Sequence, residues 1–548
     1  MSKVRIQSLE RVADAFVEQM AAWGVRFVFG IPGGSILPIV DAIRRSETIR
    51  FILVRHEATA AFMASAYGKL TGKLGVCTAI SGAGATNLIT GLADAAWDGS
   101  PVLAITGQVG QELIGSGVFQ EIDQYGLFSS ISVYHQVLQD PTQTPTVLIE
   151  AMKAALLQRS VSHIGIPVNL QAEEYCGQIQ GPDTLLATYG EPHPDALDAA
   201  ARVIRSSPRI VILAGRRAWS ACDEIAALSE KLSAPVATTP SAKGLFDEYS
   251  PRSLGVLGRL GRNCTIDIVE QADLTILIGA DIVEQRLLPK MPTVQIVYDP
   301  LEVAVQLKVA AALVGEIGLS IKALNDKLPG RRPDGWREKV FRMNSACIKE
   351  YMENIPEPAQ YVDPRSVIDA LSSVISDDAV VALDIGDVTY WYTQYFRAVR
   401  QRTLISSHLA SMGFSLPAAL AAKLEYPDRQ VICIAGDGGF AMSMADFTTA
   451  VKYNLPIIVI LFNNSAFGRV TGEQQEMGLP DLTIELTNPD FAAYARSCGG
   501  FGIRVERKQE IRDALRLAID SDLPSIVEVL TDRSIHAVPT LAGTVVSD

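Results

Sequence analysis

The stretch Gln430–Gly468, QVICIAGDGGFAMSMADFTTAVKYNLPIIVILFNNSAFG, decides how the chain folds. An apolar run from Val431 to Ala435 ends in Gly436-Asp437-Gly438-Gly439, a helical pattern follows to Tyr453, and a second apolar run from Pro456 to Phe462 ends in Asn463-Asn464. The order is strand, helix, strand. A short crossover of this kind joins parallel strands, so both finish at the same sheet edge and bring Asp437 and Asn464 to one pocket. A carboxylate and an amide oxygen, beside glycines that let backbone N–H groups approach a ligand, suit a hard divalent cation that also holds phosphate oxygens, magnesium above all. GDGG alone is as well explained by a glycine turn; NN at this spacing, with a strand ahead of each half, argues for the cation.

Outward from that stretch, 548 residues exceed what one hydrophobic core usually supports, so two to four domains are expected. A composition 48% hydrophobic and 20% charged describes a folded, soluble chain. No apolar run reaches the length of a membrane helix, and the start, MSKVRIQSLERVADAF, lacks the apolar core of a secretory signal, which makes a cytoplasmic location the expectation. The seven cysteines show no CxxC or metal-like spacing, so neither a disulfide framework nor a zinc site is expected, and Cys77 and Cys433 lie inside apolar strand patterns. A formal charge of −13 without a Lys/Arg cluster argues against nucleic acid and for small-molecule ligands.

Residues 8 to 170 alternate apolar runs (Arg26–Gly30, Phe51–Val54, Gly75–Ile80, Val102–Thr106) with helical patterns, as in a doubly wound α/β domain. Three loops stand out: Gly30-Ile31-Pro32-Gly33-Gly34-Ser35, Arg55-His56-Glu57 ahead of the helical pattern Ala58–Leu70, and Ser81-Gly82-Ala83-Gly84-Ala85-Thr86-Asn87. Taken singly, each has a bland explanation: a strand-to-helix turn, a carboxylate answering a helix dipole, a glycine loop that is no GxGxxG fingerprint. A second α/β unit follows a loose boundary near Gln171–Pro194, with strands at Ile210–Ala214, Pro235–Thr238, Leu274–Ile278 and Val294–Tyr298. Lys327–Pro358 reads as linker plus a helix, and a third unit begins near Asp363.

GDGG followed by NN resembles the cofactor signature of thiamine diphosphate enzymes, and GIPGGS, RHE and SGAGATN resemble the pyrimidine-binding domain of the same family. The resemblance implies three doubly wound parallel-sheet α/β domains: a pyrimidine-binding domain at 1–177, an FAD-type middle domain at 186–330, a linker at 331–360 and a diphosphate-binding domain at 361–548. It implies Mg2+ held by Asp437, Asn464 and the backbone of Ala466, with Gly436, Gly438 and Gly439 close to the cofactor. Glu57 would hydrogen-bond N1′ of the aminopyrimidine, which favours the imino tautomer whose N4′ takes the C2 proton and leaves an ylide. Pro32, Gly33 and Asn87 fall in the matching loops, Gly386 and Asp387 near the diphosphate, and Met412 and Gly413 against the pyrimidine.

The branch is read from three further places. Gly115-Ser116-Gly117-Val118-Phe119-Gln120-Glu121 resembles pyruvate oxidases, and the pair Phe119-Gln120 also resembles acetohydroxyacid synthases, where it borders the substrate pocket. In both groups the middle domain binds FAD, and the loops with Gly215-Arg216 and Lys243 look similar to its contact loops; Gly279-Ala280-Asp281 and Tyr298-Asp299-Pro300 fit less well, Asp299 standing where IDxDP is usual. Val470 matches the aliphatic residue that bends the cofactor into a V. Glu473 matches an acidic residue of pyruvate oxidases where the synthases carry tryptophan, and Arg469 replaces an expected phenylalanine. A guanidinium there suits an anionic substrate or acceptor, which puts pyruvate as substrate in question.

The resemblance therefore implies decarboxylation of a 2-oxo acid through the ylide and an enamine, followed by oxidation through FAD as in pyruvate oxidase. The alternatives are addition to a second 2-oxo acid, as in acetolactate synthase, and flavin-free decarboxylation. In the family the pyrimidine domain of one subunit meets the diphosphate domain of another, so a dimer or tetramer with shared sites is expected. The residues after Thr531 are too few for the amphipathic segment by which some pyruvate oxidases bind membrane, and no membrane association is expected.

Overall fold

A computed structural model describes residues 11–175, 177–184, 186, 189–280, 290–304, 306–330, 335–353, 358, 360–480 and 482–537. Among the described residues eighteen strands form three six-stranded sheets, parallel throughout. The first contains β1 Phe27–Gly30, β2 Arg50–Leu53, β3 Gly75–Ala79, β4 Val102–Gln108, β5 Tyr134–Val137 and β6 Val161–Pro167, in the order β2-β1-β3-β4-β6-β5. The second contains β7 Ile210–Ala214, β8 Val236–Thr238, β9 Ser253–Val256, β10 Leu274–Ile278, β11 Thr293–Val297 and β12 Val309–Val314, in the order β12-β11-β10-β7-β8-β9. The third contains β13 Val380–Leu383, β14 Arg402–Leu404, β15 Val431–Gly436, β16 Ile458–Asn463, β17 Phe501–Val505 and β18 Ser525–Leu530, in the order β14-β13-β15-β16-β18-β17.

The expected α/β class with parallel sheets is what the chain adopts. Strands covered by helices on both faces need continuous apolar runs, and Val431–Ala435 and Ile458–Phe462 are buried along their whole length. The first and third sheets repeat one strand order, while the second has the order 3-2-1-4-5-6 of dinucleotide-binding folds. In each, the order reverses between two adjacent strands, and the crevice outside their carboxyl ends is where such sheets bind ligands. Those pairs are β1/β3, β7/β10 and β13/β15, which end in Gly30–Ser35 and Ser81–Asn87, in Gly215-Arg216 and Gly279-Ala280, and in Asp384–Asp387 and Gly436–Gly439.

One hydrophobic core runs through the first and third units. Helices Glu57–Thr71 and Ser415–Glu425, rich in alanine, lie against each other across it, with Phe62 edge-on to Phe414 at 5.8 Å. Lys69 is buried at this seam, and its Nζ donates to Asp94 at 2.7 Å, Asp98 at 2.5 Å and the Ile405 carbonyl at 3.2 Å. Cys77 and Cys433 are buried thiols, as expected. The expectation of no disulfide is corrected: Cys264 and Cys347 are bridged. Helix Gly335–Glu353, in the stretch read as linker plus a helix, shares one core cluster with helix Asn263–Glu270 through Trp336, Val340, Ile268 and Val269, and the two bridged cysteines are separated by 83 residues.

Candidate active site

Asp437, Asn464 and Ala466 line one cavity of about 100 Å3 together with Gly436, Gly438, Gly439, Gly386, Asp387, Met412, Arg469 and Val470. The two asparagines divide their work. Asn463 points into the sheet, its Nδ2 donating to buried Glu528 at 2.7 Å, whereas Asn464 lines the cavity and its Oδ1 accepts the Ala466 N–H at 3.1 Å. Asp437 Oδ1 accepts the Gly438 N–H and Oδ2 accepts Asn488 Nδ2 at 2.7 Å. Burial lifts the Asp437 carboxyl to about 6 against the pull of those donors. Asp387, first residue of helix Asp387–Tyr395, is also lifted by burial to about 6, with Arg469 pulling the other way, and its Oδ1 is buried without a hydrogen-bond partner.

Asp384 keys this cavity together. Its fully buried carboxylate accepts the N–H groups of Ile385, Gly413 and Ser415 at 2.8, 3.0 and 3.3 Å and the Ser415 hydroxyl at 2.6 Å. A Cβ on Gly439 would lie 2.7 Å from its Oδ1. One side chain thus fixes the Gly386-Asp387 loop, the Met412-Gly413 loop and the start of helix Asp437–Ser443.

The loops of the first unit converge in the same manner. Glu57 opens helix Glu57–Thr71, is 9% exposed, and accepts Asn87 Nδ2 at 3.0 Å. Gly84 approaches Glu57 so closely that a Cβ there would sit 3.2 Å from Oε1. Ser81 ties two more loops in, its N–H donating to Ser35 Oγ at 3.0 Å and its hydroxyl to the Gln120 carbonyl at 2.6 Å. Pro32 lies in the loop that ends β1, and Gly33 beside it leaves no room for a Cβ next to Ile80. Gln120 is left-handed at φ 64°, and Phe119 is 88% exposed. Among the described residues, none from the first unit lines the Asp437 cavity, so one chain brings together the Asp437 set and the Glu57 set separately.

A larger cavity of about 400 Å3 lies where the second and third units meet. Arg216, Thr239–Ser241 and Gly258–Leu260 line it from the second unit, and Ile385, Gly386, Tyr390, Ser406–His408, Arg469 and Glu473 from the third. It shares Ile385, Gly386 and Arg469 with the smaller cavity. Gly215 gives way to Ala280, against which a Cβ would lie at 2.2 Å, and Arg216 Nη2 reaches the Asp98 carbonyl. Two residues expected at a flavin site are engaged elsewhere. Lys243 is fully buried and its Nζ donates to both carboxylate oxygens of Glu248 at 2.8 Å; Asp299 caps Leu301 N–H at 2.8 Å. Asp281 lies outside the described residues. Sequence reading missed Asp384, Asn488, Arg259 and His408 as site residues; none carries a motif, and only the switch-point position of Asp384, directly after β13, gave a signal.

Residues 10–127, 197–324 and 384–529 match the family profiles described as thiamine pyrophosphate enzyme N-terminal TPP binding domain, central domain and C-terminal TPP binding domain. The chain is 35% identical over 94% of its length to a putative thiamine pyrophosphate-containing protein, YdaP, of Bacillus subtilis, covering 91% of that protein. It is 33% identical over 96% of its length to the acetolactate synthase large subunit of Parasynechococcus marenigrum, covering 88% of it. With the acetolactate synthase isozyme 1 large subunit of Escherichia coli the identity is 30% over 96% of this chain and 95% of the relative.

Proposed function

Because the chain belongs to the thiamine pyrophosphate enzymes of the acetolactate synthase and pyruvate oxidase group, and is thus a 2-oxo acid enzyme, we propose that it decarboxylates a 2-oxo acid and passes the remaining carbon unit to a carbonyl acceptor. The acceptor step follows the relatives named acetolactate synthase. The observation that carries the reading is the meeting of a metal-type ligand set, Asp437, Asn464 and Ala466, with Val470 and Arg469 in one cavity.

The residues present fit the groups this function needs. One carboxylate, one amide oxygen and one carbonyl are hard ligands in the small number that Mg2+ takes from protein when phosphate and water complete its shell. The orphaned Asp387 Oδ1 is a buried acceptor of the kind a bound group's donor completes. When bound, thiamine diphosphate supplies the nucleophilic carbon and the electron sink for loss of CO2. Of the chain's own residues, Asp437, Asn464 and the Ala466 carbonyl would hold the cation, Glu57 would hydrogen-bond the pyrimidine nitrogen, Val470 would pack against the cofactor's rings, and Phe119 and Gln120 would border the substrate. Since Glu57 and Asp437 line different places in one chain, a second copy contributing its Glu57 completes each site, as a dimer or tetramer.

A second reading, oxidation through FAD, is favoured by Glu473 at the tryptophan position and by the 3-2-1-4-5-6 order of the second sheet, whose switch-point loop carries Gly215 and Arg216 beside the larger cavity. The test is an absorbance spectrum of the purified protein with product analysis from pyruvate. Acetolactate supports the first reading, and a flavin band with acetate or acetyl phosphate and peroxide supports the second. No CO2 from any 2-oxo acid would sink both.

A further inference from the structure

Two guanidinium groups from different units converge on one carboxylate oxygen where the two cavities join. Arg469 Nε donates to Glu473 Oε1 at 3.1 Å, and Arg259 Nη2 lies 3.5 Å from the same oxygen. Arg469 is braced by the Ala537 carbonyl at 3.2 Å, by Glu476 Oε1 at 3.4 Å and by the Tyr390 ring, over which its guanidinium sits at 5.7 Å. Arg259 Nε donates to the Tyr390 hydroxyl at 3.1 Å. Both arginines line the larger cavity, and Arg469 also lines the smaller one next to Val470.

Arg259 and Arg469 share Glu473 at this seam, and Glu476 also answers Arg469. Among the described lining residues of the larger cavity, Arg216, Arg259 and Arg469 face Asp98 and Glu473. Asp98 is already engaged by Lys69 Nζ at 2.5 Å and His408 Nδ1 at 2.7 Å. Glu473 is thus shared by two guanidiniums, while Glu476 Oε1 also lies 3.4 Å from Arg469; the side chains of Glu473 and Arg259 are 42% and 46% exposed and that of Arg469 is 14% exposed, so it is the Arg259–Glu473 pairing that is open to exchange. Planar guanidiniums pair with carboxylates through parallel N–H donors, and arginine fixes that geometry where lysine does not.

We propose that Arg259 and Arg469 form a carboxylate clamp, with Glu473 as the internal counter-ion that swings aside, and that the enzyme takes a molecule carrying a carboxylate remote from its oxo carbon. That molecule is either a dicarboxylic 2-oxo acid that is decarboxylated or a dicarboxylic 2-oxo acid that serves as acceptor. The proposal rests on the functional reading above and deepens it, since Arg469 stands at the mouth of the cofactor cavity. A structural ion-pair network or a cationic substrate held by Glu473 are the outcomes that compete with it.

The experiment uses the holoenzyme with thiamine diphosphate and Mg2+ and compares 2-oxoglutarate with 2-oxopentanoate, which has the same carbon count and no second carboxylate. In one arm each is the sole substrate and CO2 is measured; in the other, pyruvate is donor and each is the acceptor. The clamp predicts at least a tenfold preference in kcat/KM for 2-oxoglutarate in one arm, carried by KM. Arg259→Met should bring that ratio close to one, and Arg259→Lys should restore part of it. Glutarate should inhibit competitively and bind by calorimetry, at least tenfold more weakly in Arg259→Met. Equal or better use of 2-oxopentanoate in both arms, a preference for 5-guanidino-2-oxopentanoate, or a ratio untouched by Arg259→Met would overturn the clamp. Calorimetry of thiamine diphosphate on the same preparations separates the failures: uptake of the cofactor without carboxylate preference sinks the clamp alone, and no uptake sinks the functional reading beneath it.

Discussion

Glu57 and Asn87 come together at 3.0 Å beside Gly84, so the carboxylate is held where a larger residue at position 84 would push it away. Substituting Glu57 by Gln keeps that contact and removes the acid. The expected outcome is a fall of about 10²-fold or more in CO2 release with an unchanged melting temperature and cofactor affinity; undiminished turnover would end the role. Asp384 invites the opposite test. Its replacement by Ala strands four donors, three of them backbone N–H groups, each costing about 1–3 kcal/mol when buried without a partner. Asp384→Ala should lower the unfolding midpoint and weaken thiamine diphosphate binding together, whereas loss of neither would show that the three loops hold themselves. Asp437, Asn464 and Glu57 were legible as candidates because they sit in motifs. Asn488 and Arg259 were not legible, and Asp384 only by its place after β13, because their contacts come from distant segments. Lys243 and Asp299, which the resemblance placed in flavin-contact loops, hydrogen-bond to Glu248 and to the Leu301 N–H.

At the level of elements, the run-and-turn pattern was legible where strands are central. Val431–Ala435 and Ile458–Phe462 are buried on both faces, and an uninterrupted apolar run is the consequence. Edge strand β5, sequence YHQV, and edge strand β14, three residues long, gave no such run. Strands β6 and β18 are wholly buried yet carry His163 and Glu528, polar residues with partners supplied by other elements, which disguised them. His163 has a consequence for stability. It stacks on Phe128 at 3.6 Å, meets Thr106 Oγ1 at 2.8 Å through Nε2 and His135 Nδ1 at 2.8 Å through Nδ1, and burial, aided by His135, depresses its pKa well below 6.5. The unfolded chain then takes a proton that the folded ring refuses, so stability present above about pH 6.5 is lost as pH falls below it. A melting curve series from pH 8 to 5 should show that decline, and His163→Gln should flatten it; a parallel decline in the variant would assign the effect elsewhere. The seam between helices Glu57–Thr71 and Ser415–Glu425 predicts a second loss. Lys69→Met leaves the buried Asp94 and Asp98 without their cation and should cost about 3–5 kcal/mol in urea unfolding.

For the whole molecule, the family resemblance implied three parallel-sheet units, and the sheets follow it. The sequence did not disclose that the first and third units share one core, that the second has a different strand order, or that Cys264 and Cys347 are bridged, because these depend on packing between segments far apart in the chain. The separation of the Glu57 set from the Asp437 cavity makes assembly part of the account: specific activity should fall on dilution below the concentration at which sedimentation detects monomer. All of this rests on one physical claim, that Asp437, Asn464 and Ala466 anchor a metal and diphosphate pair. Titration calorimetry of thiamine diphosphate into the purified protein with Mg2+ tests it most directly. The account predicts saturable uptake of one equivalent per chain that needs the cation and is abolished in Asp437→Ala; no uptake, or uptake indifferent to that substitution, would contradict it.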